Sequence, residues 1–170
     1  GRILPNTERY ERVTATTGVP WWFVAIVHSL EASLRFDCHL HNGDPLTART
    51  VHVPKGRPVV GPPPFTWEVS AADALRMHGL SGDTEWSIAG ALWELERWNG
   101  LGYRQHHPTV LTPYLWSGSN HARPGKYVAD GRWDPKAVSR QIGAAVLLQQ
   151  MNVFHEPDPQ TVAVEPETPA

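Results

Sequence analysis

Two carboxylates in this sequence sit in surroundings different enough to do different chemistry. Glu31 closes an apolar stretch, VPWWFVAIVHSLE, and Asp44 lies downstream in the turn-rich segment His41-Asn42-Gly43-Asp44-Pro45. A carboxyl group set among Trp, Phe, Ile and Leu loses water, which disfavours its charged form and raises its pKa toward the range useful to a general acid. An aspartate in a polar, solvated loop stays ionised and can orient water or stabilise positive charge. Carboxyl groups with diverging environments are what glycosidic cleavage uses: one protonates the leaving oxygen, the other activates water or stabilises the oxocarbenium-like centre. The purely structural alternative pairs Glu31 with His28, Arg35 or Arg104.

The elements that must hold these groups are mostly helical. TERYERV suggests a short packing helix. Pro20 at a first helical position, with Thr17 or Gly18 as cap, predicts a helix from Pro20 to Arg35 that is apolar nearly all round and so belongs in the middle of the domain. From Phe36 to Pro64 the helical period disappears. Turn signals surround an alternating run, TARTVHV, predicting a small irregular β or loop lobe. Thr66 caps a predicted helix to His78, and a cap within Ser81 to Thr84 starts another to Trp98, with Ile88, Ala91, Leu92 and Leu95 facing inward. NGLGYRQHHP and TPYLWSGSNH are predicted loops. Asp134-Pro135 reads as cap plus first-position proline for a helix over Lys136 to Met151, packing through Val138, Ile142, Ala145 and Val146. The expected organisation is one domain over residues 1–153, mainly α with a minor β component, and a Pro/Glu-rich tail or linker over 154–170.

Composition narrows the partners. A chain of 170 residues buries a core without staples, and its formal charge of -2 offers no general attraction to nucleic acid or anionic membrane. The single Cys38 makes no internal disulfide, and no stretch reaches the roughly 20 apolar residues of a membrane span. Eight Trp and sixteen Pro are high for this length; Trp21, Trp67, Trp86, Trp93 and Trp133 are assigned to packing, while aromatic faces elsewhere suit sugar stacking. The histidines raise the question of zinc, through His28, Glu31, His39 and His41, but HExxH is absent and no metal or other cofactor is expected. His106 and His107 are read as a solvated loop end.

Three motifs in order carry a family resemblance: His28-x-x-Glu31-Ala32-Ser33-x-x-Phe36 ending the apolar helix, Trp98-Asn99-Gly100 ahead of Gly102-Tyr103-Arg104, and Thr112-Pro113-Tyr114-Leu115-Trp116. Over roughly residues 10 to 152 the chain resembles the goose-type lysozyme and soluble lytic transglycosylase group. Its middle, HLHNGDPLTARTVHVPKGRP, is most similar to bacterial lysozyme-like proteins of poorly defined substrate. Ala32 stands where the Glu-Ser motif has Ser, and Trp98 where the group has Tyr.

The resemblance implies a lysozyme-like fold with a central buried helix, and a glycosidase acting on β-1,4 bonds of peptidoglycan. Glu31 matches the catalytic acid, Asn99 the asparagine that binds the sugar, and Asp44 lies where goose-type lysozymes place a water-positioning aspartate. His41, Asn42, Tyr103, Arg104, Tyr114, Trp116, Asn120 and Tyr127 are the further candidates for substrate contact. Lytic transglycosylases manage without the aspartate, because the substrate's own 6-hydroxyl attacks and leaves anhydro-sugar ends. Chitin or chito-oligosaccharide is the alternative substrate, and a non-catalytic glycan-binding module the alternative class. The expected setting is secreted, periplasmic or cell-wall associated, as a monomer.

Overall fold

The computed structural model describes residues 3–154. The proposed tail therefore falls outside the described residues except for Phe154, which packs against the core with its ring 5.1 Å from Trp22 and belongs to the domain rather than the tail.

The chain is mainly helical with one two-stranded sheet. After a 3-10 turn at Leu4–Asn6 come α1 (Thr7–Thr17), α2 (Trp21–Ala32), α3 (Trp67–Met77) and α4 (Ile88–Asn99). Short helices α5 (Gly102–His106) and α6 (Pro113–Trp116) follow, then the hairpin β1 (Lys126–Ala129) and β2 (Arg132–Asp134), and finally α7 (Ala144–Met151). No single described helix is long and apolar enough to cross a membrane.

α2 is the centre, as its composition requires. Phe23, Val24, Ala25, Ile26, Val27 and His28 are all fully buried, and each large apolar side chain so placed contributes roughly 1.5–3 kcal/mol. α1 and α3 pack together and α1 also packs on α2, while α7 covers another side. The helix ends at Ala32, not at Arg35, because two consecutive residues, Ser33 (φ 51°) and Leu34 (φ 63°), take left-handed backbone. The His28 ring draws the chain back: its Nε2 donates to the Arg35 carbonyl at 2.8 Å, leaving Nδ1 to accept from the Tyr10 hydroxyl at 3.1 Å. Phe36 then turns into the aromatic cluster of Tyr10, His28 and Trp67. Burial holds the His28 imidazole neutral, its pKa lowered to about 4.

Between α2 and α3 no helix or strand forms, only an isolated bridge joining Cys38 and Pro45. Of the two expectations for this lobe, irregular β or loop, the structure has the loop: the alternating run TARTVHV is bent around side chains. Thr50 Oγ1 accepts from the Arg57 N–H at 2.9 Å, and the Gly56 N–H reaches the Thr50 carbonyl at 2.8 Å. Buried polar groups fasten this lobe to α3. His39 accepts from Ser70 Oγ through Nδ1 and donates from Nε2 to the Ala48 carbonyl, both at 2.8 Å. His41 Nε2 and Arg57 Nε both donate to Asp73 Oδ2 at 2.8 Å.

Two helix starts differ from the sequence pattern. α4 begins at Ile88 under the Ser87 cap, which accepts from the Gly90 N–H, so Ala91 and Leu95 are buried while Ile88 is exposed. The Asp134-Pro135 signal starts no helix: Asp134 ends β2, and its carboxylate accepts from the Lys136 N–H at 2.8 Å, closing a turn. α7 waits until Ala144, leaving Val138 and Ile142 exposed. Its start is fixed by contact, since a Cβ on Gly143 would lie 2.3 Å from the Leu115 carbonyl oxygen.

Candidate active site

Glu31 is carried on the last turn of α2 and is exposed at the end of that helix rather than enclosed in the core. The packed protein on its inner side still withdraws water, and this desolvation raises its pKa above the ordinary glutamate value; the hydrogen bond from Tyr114 acts in the opposite direction and is the smaller effect. That bond, Tyr114 Oη donating to Glu31 Oε1 at 2.9 Å, is the contact that joins α2 to α6 at the site. None of the partners weighed for Glu31 holds it. His28 is committed to Tyr10 and the Arg35 carbonyl. Arg35 pairs with Asp37, and Arg104 pairs with the buried Glu96 at 2.7 Å.

Tyr114 also lines a cavity of about 290 Å³, together with Asn99, Tyr103, Lys126, Tyr127 and Gln141; Glu31 does not itself line it and is joined to it through the Tyr114 hydroxyl. Each of these has a local reason for its position. Thr112 caps α6, accepting from the Tyr114 N–H, with Pro113 preset for the first turn. Asn99 is the last residue of α4, exposed where Gly100 turns the chain away at φ 95°. Tyr103 on α5 accepts from the Tyr127 N–H at 3.3 Å, and its ring contacts Tyr127 and Trp133, so the hairpin is anchored on an aromatic cluster. Gln141, in the segment before α7, donates to the Leu30 carbonyl at 2.8 Å, one residue from Glu31. Aromatic faces, amides and hydroxyls around one cavity suit a sugar: rings stack and amides read hydroxyl and N-acetyl groups.

Asp44 has a different position in the fold from the one its sequence setting suggests. Its side chain is buried rather than solvated and does not line this cavity. Oδ2 accepts from the Val51 N–H at 2.8 Å, the His52 N–H at 3.0 Å and Asn42 Nδ2 at 3.1 Å, and Oδ1 accepts from His52 Nδ1 at 2.6 Å. These bonds, the one from the His52 ring first, hold its pKa well below the usual aspartate range. A carboxylate has about four lone-pair sites, so Asp44 is engaged in shaping the loop.

The other candidates divide in the same way. Asn99, Tyr103, Tyr114 and Tyr127 are brought together at the cavity. His41 is not: its side chain is fully buried against Asp73. Asn42 ties Asp44 to the His52 carbonyl, and Arg104 is held by Glu96 over the Trp93 ring. Trp116 lines a separate apolar groove with Ile88, Leu92 and Phe154, and Asn120 is exposed, its carbonyl accepting from Arg123. Sequence reasoning missed Lys126 and Gln141. The signal for Lys126 was the Asp130-Gly131 dipeptide, a hairpin turn between alternating residues, whereas Gln141 was masked by the helix expected over it. Among the described residues no cluster of His, Cys, Asp or Glu is placed to hold a metal ion. Compared with the models of known protein families, with curated proteins and with solved structures, the chain finds no match.

Proposed function

We propose that this chain is a lysozyme-like glycosidase that cleaves β-1,4 bonds in N-acetylated glycan, peptidoglycan first, with Glu31 as the proton donor. The observation that carries this reading is the carboxyl of raised pKa at the end of a central helix, held by Tyr114 beside a cavity of tyrosines and amides. Protonated Glu31 delivers its proton to the glycosidic oxygen while Asn99, Tyr103 and Tyr127 hold the flanking sugars. The chemistry requires no cofactor, and the substrate belongs to the wall, outside the cytoplasm.

Replacing Glu31 by Gln preserves the hydrogen bond from Tyr114 and removes the acid. Turnover of peptidoglycan, followed by release of soluble reducing ends, should fall by about 10²–10⁴-fold. Undiminished turnover in Glu31→Gln would sink the assignment, and binding to wall material with no ends released by the wild type would support a glycan-binding module instead.

Saturation of Asp44 favours a second reading of the same site, the lytic transglycosylase. With Asp44 holding the loop, Glu31 can act first as acid and then as base while the substrate's own 6-hydroxyl closes on the anomeric carbon. Mass spectrometry separates the routes: products heavier by one water mark hydrolysis, and anhydro-sugar ends mark transglycosylation. Chitohexaose tests the alternative substrate.

A further inference from the structure

The cavity lined by Tyr114 contains a feature that neutral sugar does not need. Of the residues that line it, Asn99, Tyr103, Tyr114, Tyr127 and Gln141 are uncharged, as are the glycines, Thr112, Pro113 and Ser139; Lys126 alone carries a charge. Lys126 is half-buried at the start of β1, and its ammonium makes no ion pair or hydrogen bond among the described residues. The residue opposite it in the ladder is Asp134, whose Oδ1 accepts from the Lys136 N–H at 2.8 Å.

The position of Lys126 is held by packing on either side. Tyr127 is clamped by its N–H to the Tyr103 hydroxyl, and Trp133 across the hairpin lies flat on His107, with ring centroids 3.5 Å apart. Gly125 leaves no room for change, because a Cβ there would lie 2.7 Å from the Trp133 ring. The backbone that carries this cation is therefore fixed, and an unpaired, half-buried ammonium at a cavity with no lining carboxylate offers an incoming anion a charge-assisted hydrogen bond, stronger there than in open water.

We propose that Lys126 is a specificity-determining residue that binds a carboxylate on the glycan, of the kind carried by a lactyl ether or stem peptide, and so separates acidic wall polymer from neutral chitin-type polymer. This rests on the reading of the cavity as a glycan site.

The test measures binding rather than cleavage, in the Glu31→Gln background so that the ligand stays intact. Calorimetric titration compares a tetrasaccharide of alternating N-acetylglucosamine and N-acetylmuramic acid with the same compound after its lactyl carboxylates are converted to methyl amides. The carboxylate form should bind about tenfold more tightly, as expected for one charge-assisted hydrogen bond. Adding Lys126→Met should abolish the difference, and Lys126→Arg should keep most of it; near-equal melting temperatures establish that the variants are folded. Equal affinity for both ligands in the parent, binding of neither, or a preference that survives Lys126→Met overturns the inference. The two readings fail separately: a Lys126-dependent preference without cleavage by the wild type leaves this one standing and removes the enzyme, and cleavage with no preference does the reverse.

Discussion

At the scale of single residues, the environment of Glu31 sets a pH dependence with a definite sign. A general acid works while protonated, so activity falls as pH rises through its pKa, and desolvation places that fall above the ordinary glutamate range. Tyr114→Phe removes the hydrogen bond that lowers this pKa, so the alkaline limb of the pH–rate profile should move to higher pH. Asp44 behaves oppositely. Its folded pKa is depressed, so its stabilisation is complete above the unfolded value, about 4, and drains away as pH falls further. Asp44→Ala removes the oxygen that accepts from both the Val51 and the His52 N–H groups. Faster hydrogen exchange at those two amides, with a lowered melting temperature, is the expected result. An unchanged exchange pattern coupled to lost turnover would return Asp44 to the chemistry. The raised pKa of Glu31 was legible in the sequence because its apolar approach is local; the fate of Asp44 was not, since Val51 and His52, which hold it, lie seven and eight residues along the chain.

At the scale of elements, the seam between α6 and α7 is set by close approach. Gly143→Ala would drive a methyl into the Leu115 carbonyl and the Ser117 N–H, at 2.3 and 2.8 Å, and overpacking of this kind costs about 1–3 kcal/mol. Denaturant unfolding should register that loss, and because α6 carries Tyr114, turnover should fall with it. Within α2, His28 titrates differently in the two states: unfolded near 6.5, folded about 4. Between these values only the unfolded chain takes up the proton, so stability falls as pH drops from 6.5 toward 4, by on the order of 3 kcal/mol at the limit. Urea unfolding across that window should show the slope, and His28→Gln should flatten it. Helices α1 to α4 were readable because apolar spacing and caps such as Thr66 agree. The α7 start was misread because Asp134-Pro135 has the residue types of a helix cap, and only the pairing of Asp134 with Lys126 across the hairpin places it in a strand.

At the scale of the whole molecule, the mainly helical class and the central role of α2 were legible from composition, because a helix apolar on all sides has nowhere to go but the middle. The lobe between α2 and α3 was legible as irregular but not in its fastening, which depends on His39, His41 and Arg57 meeting Ser70 and Asp73 far along the chain. The left-handed exit at Ser33 and Leu34 also has an electrostatic consequence for the molecule. By stopping α2 just beyond Glu31, it leaves the negative end of the helix macrodipole next to a carboxylate. That field and desolvation both oppose ionisation of Glu31, so position 31 is one where stability and proton donation pull apart. Glu31→Gln should therefore melt at a higher temperature than the wild type at pH well above the glutamate range, with the gain vanishing in acid below about pH 4. The variant without the acid should be the more durable protein.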